Sequence, residues 1–252
     1  MKTIMEGKQI IKTFGEGNDK RTVLDQVSVE VMEGEFISVM GPSGSGKSTL
    51  LFALSGMDSF DSGKVVFDGR DLSAVNEKEL ADIRRKEMGF VFQQPTMLKN
   101  LNIIDNIVLP SIRDQRKNAS MLTDRARKLM DKVGIGELGG RDITQVSGGQ
   151  LQRAGICRAL MNSPKIVFGD EPTGALNSKS TEEIMEILAA INKEGTAIML
   201  VTHDAKVAAK TDRVMLMSDG RIVDELQLSQ YKGTSMERRI KMVMDKMNTI
   251  GI

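Results

Sequence analysis

Gly41-Pro42-Ser43-Gly44-Ser45-Gly46-Lys47-Ser48-Thr49 fits the phosphate-loop pattern G-x-x-x-x-G-K-[ST]. Its flanks agree with that reading. The apolar run Phe36-Ile37-Ser38-Val39-Met40 predicts a buried strand before the loop. Leu50-Leu51-Phe52-Ala53-Leu54 predicts a helix after it. Strand, glycine loop and helix N-terminus together build an anion site, because glycines let backbone N–H groups approach phosphate oxygens closely. In this pattern Lys47 reaches the β- and γ-phosphates of a nucleotide and Ser48 ligates Mg²⁺.

Composition limits what such a site can serve. The chain has 252 residues, 40% of them hydrophobic, enough for one large α/β domain or two small ones. A net charge of +1 gives no global basic field for nucleic acid, and the absence of tryptophan argues against a base-stacking platform for single strands. The single cysteine, Cys157, excludes an intramolecular disulfide framework and a cysteine-rich zinc site, and fits a reducing compartment. Met1–Lys8 lacks the apolar core of a signal peptide. No apolar run approaches the roughly 20 residues of a membrane span. Ala197-Ile198-Met199-Leu200-Val201, a typical longest case, is strand-sized. Any membrane role is therefore expected through a partner.

Outward from the loop, Val27–Val31 alternates with period two. Lys64–Phe67 runs into Asp68-Gly69, a hairpin signal. Both predict an antiparallel β-layer near the N-terminus. Asn76 with Glu79 predicts a capped helix to about Lys86, and Gly89–Phe92 a short buried strand. From about Pro95 to Leu160 helical segments are separated by Gly134, Gly136, Gly139 and Gly140, as in an inserted helical region. Ile166–Phe168, Ser178–Asn192 and Ala197–Val201 then alternate strand, helix, strand, the pattern of a parallel sheet. Val214–Met217, Asp219-Gly220 and Arg221–Val223 predict a closing hairpin. The tail Thr234–Asn248 is amphipathic, with Ile240, Val243, Met244 and Met247 on one side, and is expected to pack on its own domain.

Two more segments carry chemistry. The strand Ile166–Phe168 leads through Gly169 into Asp170-Glu171. With a phosphate loop upstream, Asp170 is expected to hold Mg²⁺ and Glu171 to act as general base on the attacking water. In Val146-Ser147-Gly148-Gly149-Gln150-Leu151-Gln152-Arg153, Ser147 is a good N-cap and two glycines bare the helix start, making a second anion site. This segment resembles the Leu-Ser-Gly-Gly-Gln signature of the ATP-binding cassette (ABC) family, with Val146 in place of leucine. Two cassettes of that family pair head to tail, and each ATP lies between the phosphate loop of one and the signature of the other. The resemblance therefore implies that Ser147, Gly148, Gly149 and Gln150 bind nucleotide held by a second copy of this chain.

Other positions match the same family. Gln93, with Gln94 adjacent, resembles the glutamine that touches Mg²⁺ or water and senses the membrane partner. His203, the only histidine, resembles the switch histidine at the γ-phosphate. Phe14 resembles the aromatic that stacks on adenine. Pro172–Leu176 resembles the D-loop, but Asn177 stands where the family usually has aspartate. The implied fold is α/β: a P-loop NTPase core with an N-terminal antiparallel β-subdomain and an inserted α-helical subdomain. One ATPase domain is expected over 1–252, with core and β-subdomain at 1–94 and 161–230, helical subdomain at 95–160 and a C-terminal helix at 234–249. ATP and Mg²⁺ are the expected ligands.

Among family classes, chromosome and repair ATPases need coiled-coil insertions or cysteine-rich modules, and translation factors need two cassettes per chain. This leaves a transporter ATPase at the cytoplasmic face of a membrane, driving a separate integral permease. A soluble cassette without permease is the alternative of another class, and a phosphate-loop kinase would leave Ser147–Gln150 unexplained. Leu101–Pro110 and Glu171–Leu176 resemble lipoprotein-releasing and macrolide-exporting cassettes, a superfamily that includes resistance systems for peptide antibiotics such as bacitracin. Peptide-antibiotic resistance is the expected role, with lipoprotein release or cell division as the alternative.

Overall fold

The computed structural model describes residues 2–115, 118–231 and 233–251. Its elements are, in chain order, β1 (Thr3–Phe14), β2 (Arg21–Met32), β3 (Phe36–Met40), α1 (Lys47–Leu54), β4 (Ser62–Phe67), β5 (Arg70–Asp71), α2 (Glu77–Glu87), β6 (Met88–Phe92) and α3 (Ile103–Gln115). There follow α4 (Ala119–Lys132), α5 (Gly148–Leu160), β7 (Ile166–Asp170), α6 (Ser178–Lys193), β8 (Ala197–Val201), α7 (Ala205–Ala208), β9 (Arg213–Ser218), β10 (Arg221–Gln227) and α8 (Met236–Ile250).

Two sheets divide the strands. β2-β1-β4-β5 is antiparallel, and β10-β9-β3-β8-β7-β6 is parallel except for the edge strand β10. The strands β3 and β8 are buried at every residue, as both-face-covered parallel strands must be. The two hairpins expected at Asp-Gly pairs form as the turn chemistry demands. Asp68 and Gly69 have φ of 47° and 77°, and Asp219 and Gly220 have 47° and 76°, the positive pair that a tight turn between twisted strands requires. Asn76 and Glu79 form a reciprocal capping box at the start of α2.

Register sets the position of the site. Val39 of β3 pairs with Val201 of β8, Val201 with Asp170 of β7, and Asp170 with Phe92 of β6. The carboxyl ends of these four parallel strands are thus level. The residues that follow them, from Gly41, Thr202, Glu171 and Gln93 onward, emerge along one edge, where open parallel sheets hold ligands.

The helices α3, α4 and α5 enclose their own apolar cluster, including Ile107, Ala126, Met130, Ala154 and Cys157. Burial pushes the Cys157 thiol up to about 12, so it is an inert core group. The tail helix α8 packs on the domain through fully buried Val243, with Ile240 and Met247 beside it. Met244 departs from expectation and is 51% exposed. It lies about 100° around the helix from Val243, off a stripe that instead includes Met236 and buried Arg239. Among the described residues no helix is long and apolar enough to cross a membrane.

Candidate nucleotide site

The loop between β3 and α1 is shaped by two glycines. A Cβ on Gly41 would lie 1.9 Å from the Met217 carbonyl oxygen, and one on Gly46, at φ 101°, 2.6 Å from that of Val23. Only glycine lets the chain turn this tightly against β9 and β2. Gly46 is also the N-cap of α1, and no side chain caps that helix. Its first N–H groups are therefore free of side-chain partners and suited to an anion.

Lys47 donates to the carbonyl oxygens of Gly41 (3.0 Å) and Pro42 (2.8 Å), which folds its ammonium over the loop. Burial lowers its pKa, and the negative charges of Glu171 and Asp170 act in the opposite direction. Ser48 donates to Asp170 Oδ1 at 2.7 Å, across 122 residues of sequence. A hydroxyl and a carboxylate so placed are hard oxygen donors, fit for a Mg²⁺ that takes its remaining ligands from phosphate and water. Among the described residues no cluster of three or more His, Cys, Asp or Glu side chains forms a metal cage of its own.

Glu171 follows directly with φ of 50°, a conformation that non-glycine residues rarely adopt and that is worth attention when found beside a site. Its N–H continues the β7–β8 ladder, donating to the Val201 carbonyl (3.0 Å). The Glu171 carboxylate then meets His203 Nδ1 at 2.8 Å. Lys47, Ser48, Thr49, Glu171, His203 and Phe14 all line one cavity of about 480 Å³, together with Ser43, Gly44 and Gly46. Arg21 and Val23, from the start of β2, line it too. Sequence reading misses both, since nothing in the alternation of β2 says which neighbour its first residues face. Gly41, Pro42 and Ser45 support the loop without lining the cavity, and Ser45 Oγ is buried without a partner.

Gln93 and the 147–150 segment lie off this cavity. Gln93 rests on the loop after Glu171, where a Cβ on Gly174 would approach its Nε2 to 2.8 Å. Ser147 and Gln150 cap α5 reciprocally: Gln150 N–H donates to Ser147 Oγ (3.3 Å), and Ser147 N–H donates to Gln150 Oε1 (2.8 Å). Ser147 spends an acceptor position in this box and keeps its own hydrogen to donate. A Cβ on Gly149 would lie 3.1 Å from Ser180 Oγ in the first turn of α6. Asn177 is the N-cap of α6, accepting from Ser180 N–H at 2.9 Å. Asparagine and aspartate cap equally well, so the departure at this position leaves the helix start intact.

Comparison with known proteins agrees with this geometry. Residues 24–174 match the family model described as ABC transporter. The chain is 42% identical over 221 residues to the ABC transporter ATP-binding protein MJ1508 of Methanocaldococcus jannaschii, covering 88% of this chain and 98% of that protein. It is 40% identical over 229 residues to the macrolide export ATP-binding/permease protein MacB of Aggregatibacter actinomycetemcomitans, covering 91% of this chain. It spans only 35% of that MacB's length. The fold superposes with a TM-score of 0.83, at 36% identity and over 90% of this chain and 100% of the other, on the dimeric ATP-binding cassette MJ0796 in a post-hydrolysis state bound to ADP and Pi. The family match over most of the chain, the relative aligned end to end and the shared fold identify this chain as a member of the ABC transporter family, one of its ATPase cassettes.

Proposed function

We propose that this chain binds and hydrolyses ATP between two copies of itself and so drives a separate membrane permease. The observation that carries this reading is the division of the site. Lys47, Glu171 and His203 converge on one cavity, whereas the second helix start suited to an anion, at Ser147, does not line it. The dimeric cassette with ADP and Pi supports the pairing.

In this reading the Gly41–Thr49 loop and Lys47 hold the phosphates, and Phe14 stacks on adenine. Ser48, Asp170 and Gln93 hold Mg²⁺, which when bound supplies positive charge against the phosphate oxygens. Glu171 takes a proton from water as the water oxygen attacks the γ-phosphorus, and the bond to the β–γ bridging oxygen breaks. His203 orients Glu171 and contacts the γ-phosphate. Ser147, Gly148, Gly149 and Gln150 of the second copy close over the same phosphate. Residues 1–94 and 161–230 act as core and β-subdomain, and 95–160 as the helical subdomain that carries the signature.

The partner is an integral permease, and the working place is the cytoplasmic face of its membrane. The relatives named for macrolide export support an antibiotic cargo. Peptide antibiotics are the cargo that the Leu101–Pro110 resemblance favours, and macrolides the one that the relatives' name favours. Glu171→Gln tests the core of this reading. In light scattering, ATP should convert the variant from monomer to dimer, and adding Ser147→Arg should abolish the shift. A Glu171→Gln chain that stays monomeric at saturating ATP would contradict it. Purification from native membranes should bring down a permease, and its absence favours the permease-free class.

A further inference from the structure

Behind the aromatic ring of the nucleotide cavity lies a buried cation that the reading above does not use. Lys12 and Phe14 are two residues apart on β1 and share a side of the strand. The Lys12 Nζ lies over the Phe14 ring, 4.9 Å from its centroid. Phe14 is 46% exposed and lines the cavity, whereas Lys12 is only 7% exposed and does not line it. The ammonium therefore sits behind the ring, away from the cavity.

It is held there by charge and by backbone. Lys12 Nζ donates to Asp58 Oδ1 (3.1 Å), to the Ser59 carbonyl (2.6 Å) and to Ser59 Oγ (3.4 Å). The same segment grips the neighbouring residues: Thr13 N–H donates to Asp61 Oδ2 (2.8 Å), and Asp61 N–H to the Ile11 carbonyl (2.8 Å). At its other end, the N–H groups of Met57 and Asp58 both donate to the Phe52 carbonyl in α1. A continuous set of hydrogen bonds thus joins the ring's mount to the helix that bears the phosphate loop. A phenylalanine has no hydroxyl with which to fix its own orientation, and at half exposure its ring is otherwise free to turn. A cation over one face removes that freedom and leaves the other for a base.

We propose that Lys12 is the positioning residue of the base platform, presenting Phe14 to the purine of ATP at a fixed distance from the phosphate loop. This rests on the reading that Phe14 stacks on the base, and the test separates the two. Titrate the full-length chain with ATP and with inorganic tripolyphosphate, which has phosphates but no base. Lys12→Met should weaken ATP binding about twofold to fivefold, the size that a cation–ring contact at a partly exposed site supports. It should leave tripolyphosphate binding unchanged. Lys12→Arg, which keeps the cation, should restore ATP binding. In a Phe14→Leu background, Lys12→Met should add nothing. Equal losses for ATP and tripolyphosphate, or the same loss with Phe14 removed, would overturn the proposal by showing a general structural role. An unchanged ATP affinity in Lys12→Met beside a weakened one in Phe14→Leu would overturn it while leaving the platform reading intact. Unchanged affinity in Phe14→Leu would overturn both.

Discussion

Glu171→Gln should slow hydrolysis by a factor of about 10²–10⁴, the range for loss of a positioned general base, without weakening ATP binding. The structure supplies both halves of that expectation. The side chain is 20% exposed and meets His203 Nδ1 at 2.8 Å, a contact that an amide oxygen can still accept. Shape and orientation therefore survive, and what disappears is the lone pair basic enough to take a proton. The glutamate's charge acts on Lys47, the residue proposed to hold the phosphates. Removing a negative charge there lessens repulsion with the triphosphate, so affinity should hold or rise. Phosphate release by the permease-assembled protein and a nucleotide titration of the free chain measure the two halves separately. His203→Ala gives the internal control, because residues that act as a unit are not additive. Adding it to Glu171→Gln should cost little further. Near-normal turnover in Glu171→Gln refutes the base assignment. A parallel collapse of affinity would show instead that Glu171 holds the fold of the loop.

Three further outcomes are expected. A Lys47→Ala subunit mixed with a Ser147→Arg subunit should recover partial activity that neither shows alone, since one composite site of the mixed pair then carries no lesion; phosphate release against mixing ratio reads this. Asp68 is held at about 2 by hydrogen bonds from Lys165 and Lys2, below its usual carboxylate value. A depressed folded pKa adds stability above the unfolded value of 3.8 that is lost as pH falls toward about 2. Asp68→Asn, which tolerates the positive φ of that turn, should thus lower the denaturation midpoint at neutral pH, with the gap to the parent closing as pH falls through about 2. Arg239 donates to the carbonyls of Ala209, Thr211 and Ser229. Arg239→Met strands those acceptors and should cost about 2–5 kcal/mol, with loss of hydrogen-exchange protection in α8 as the local readout.

The parts of this protein that were legible in its sequence are those whose cause is local. The phosphate loop, the Asn76 and Ser147 caps and the two Asp-Gly hairpins depend on residues a few positions apart, and each stands where its pattern places it. The level edge that gathers Gly41, Thr202, Glu171 and Gln93 depends on register between strands far apart in sequence, which no single segment encodes. Arg21, Val23 and Lys12 escape a sequence reading for the same reason. Lys12 reads as an ordinary charged residue near the N-terminus until the 58–61 segment folds over it. Met244 shows the limit from the other side. A spacing of four from Ile240 satisfies helical periodicity, but the stripe that actually packs is centred on Val243 and Arg239, because the buried guanidinium fixes how the helix is turned.

The two helix starts proposed to bind phosphate differ in the same way. At α1 the capping residue is glycine, and its N–H groups open onto a cavity walled by Lys47 and by Glu171 and His203, which follow β7 and β8. At α5 the cap is a serine already paired with Gln150, and Ser147 and Gly148 are exposed to solvent. The first start lines a pocket, whereas the second begins with residues exposed to solvent. The contact of Gly149 with Ser180, and the Asn177 cap beside it, tie that helix start to the loop following Glu171. In the proposed dimer, a second copy's nucleotide on Ser147 would thus lie beside residues that lead to the loop following Glu171, against which Gln93 rests. The route from that nucleotide to the partner site would run through Ser180 in the first turn of α6 and its Asn177 cap.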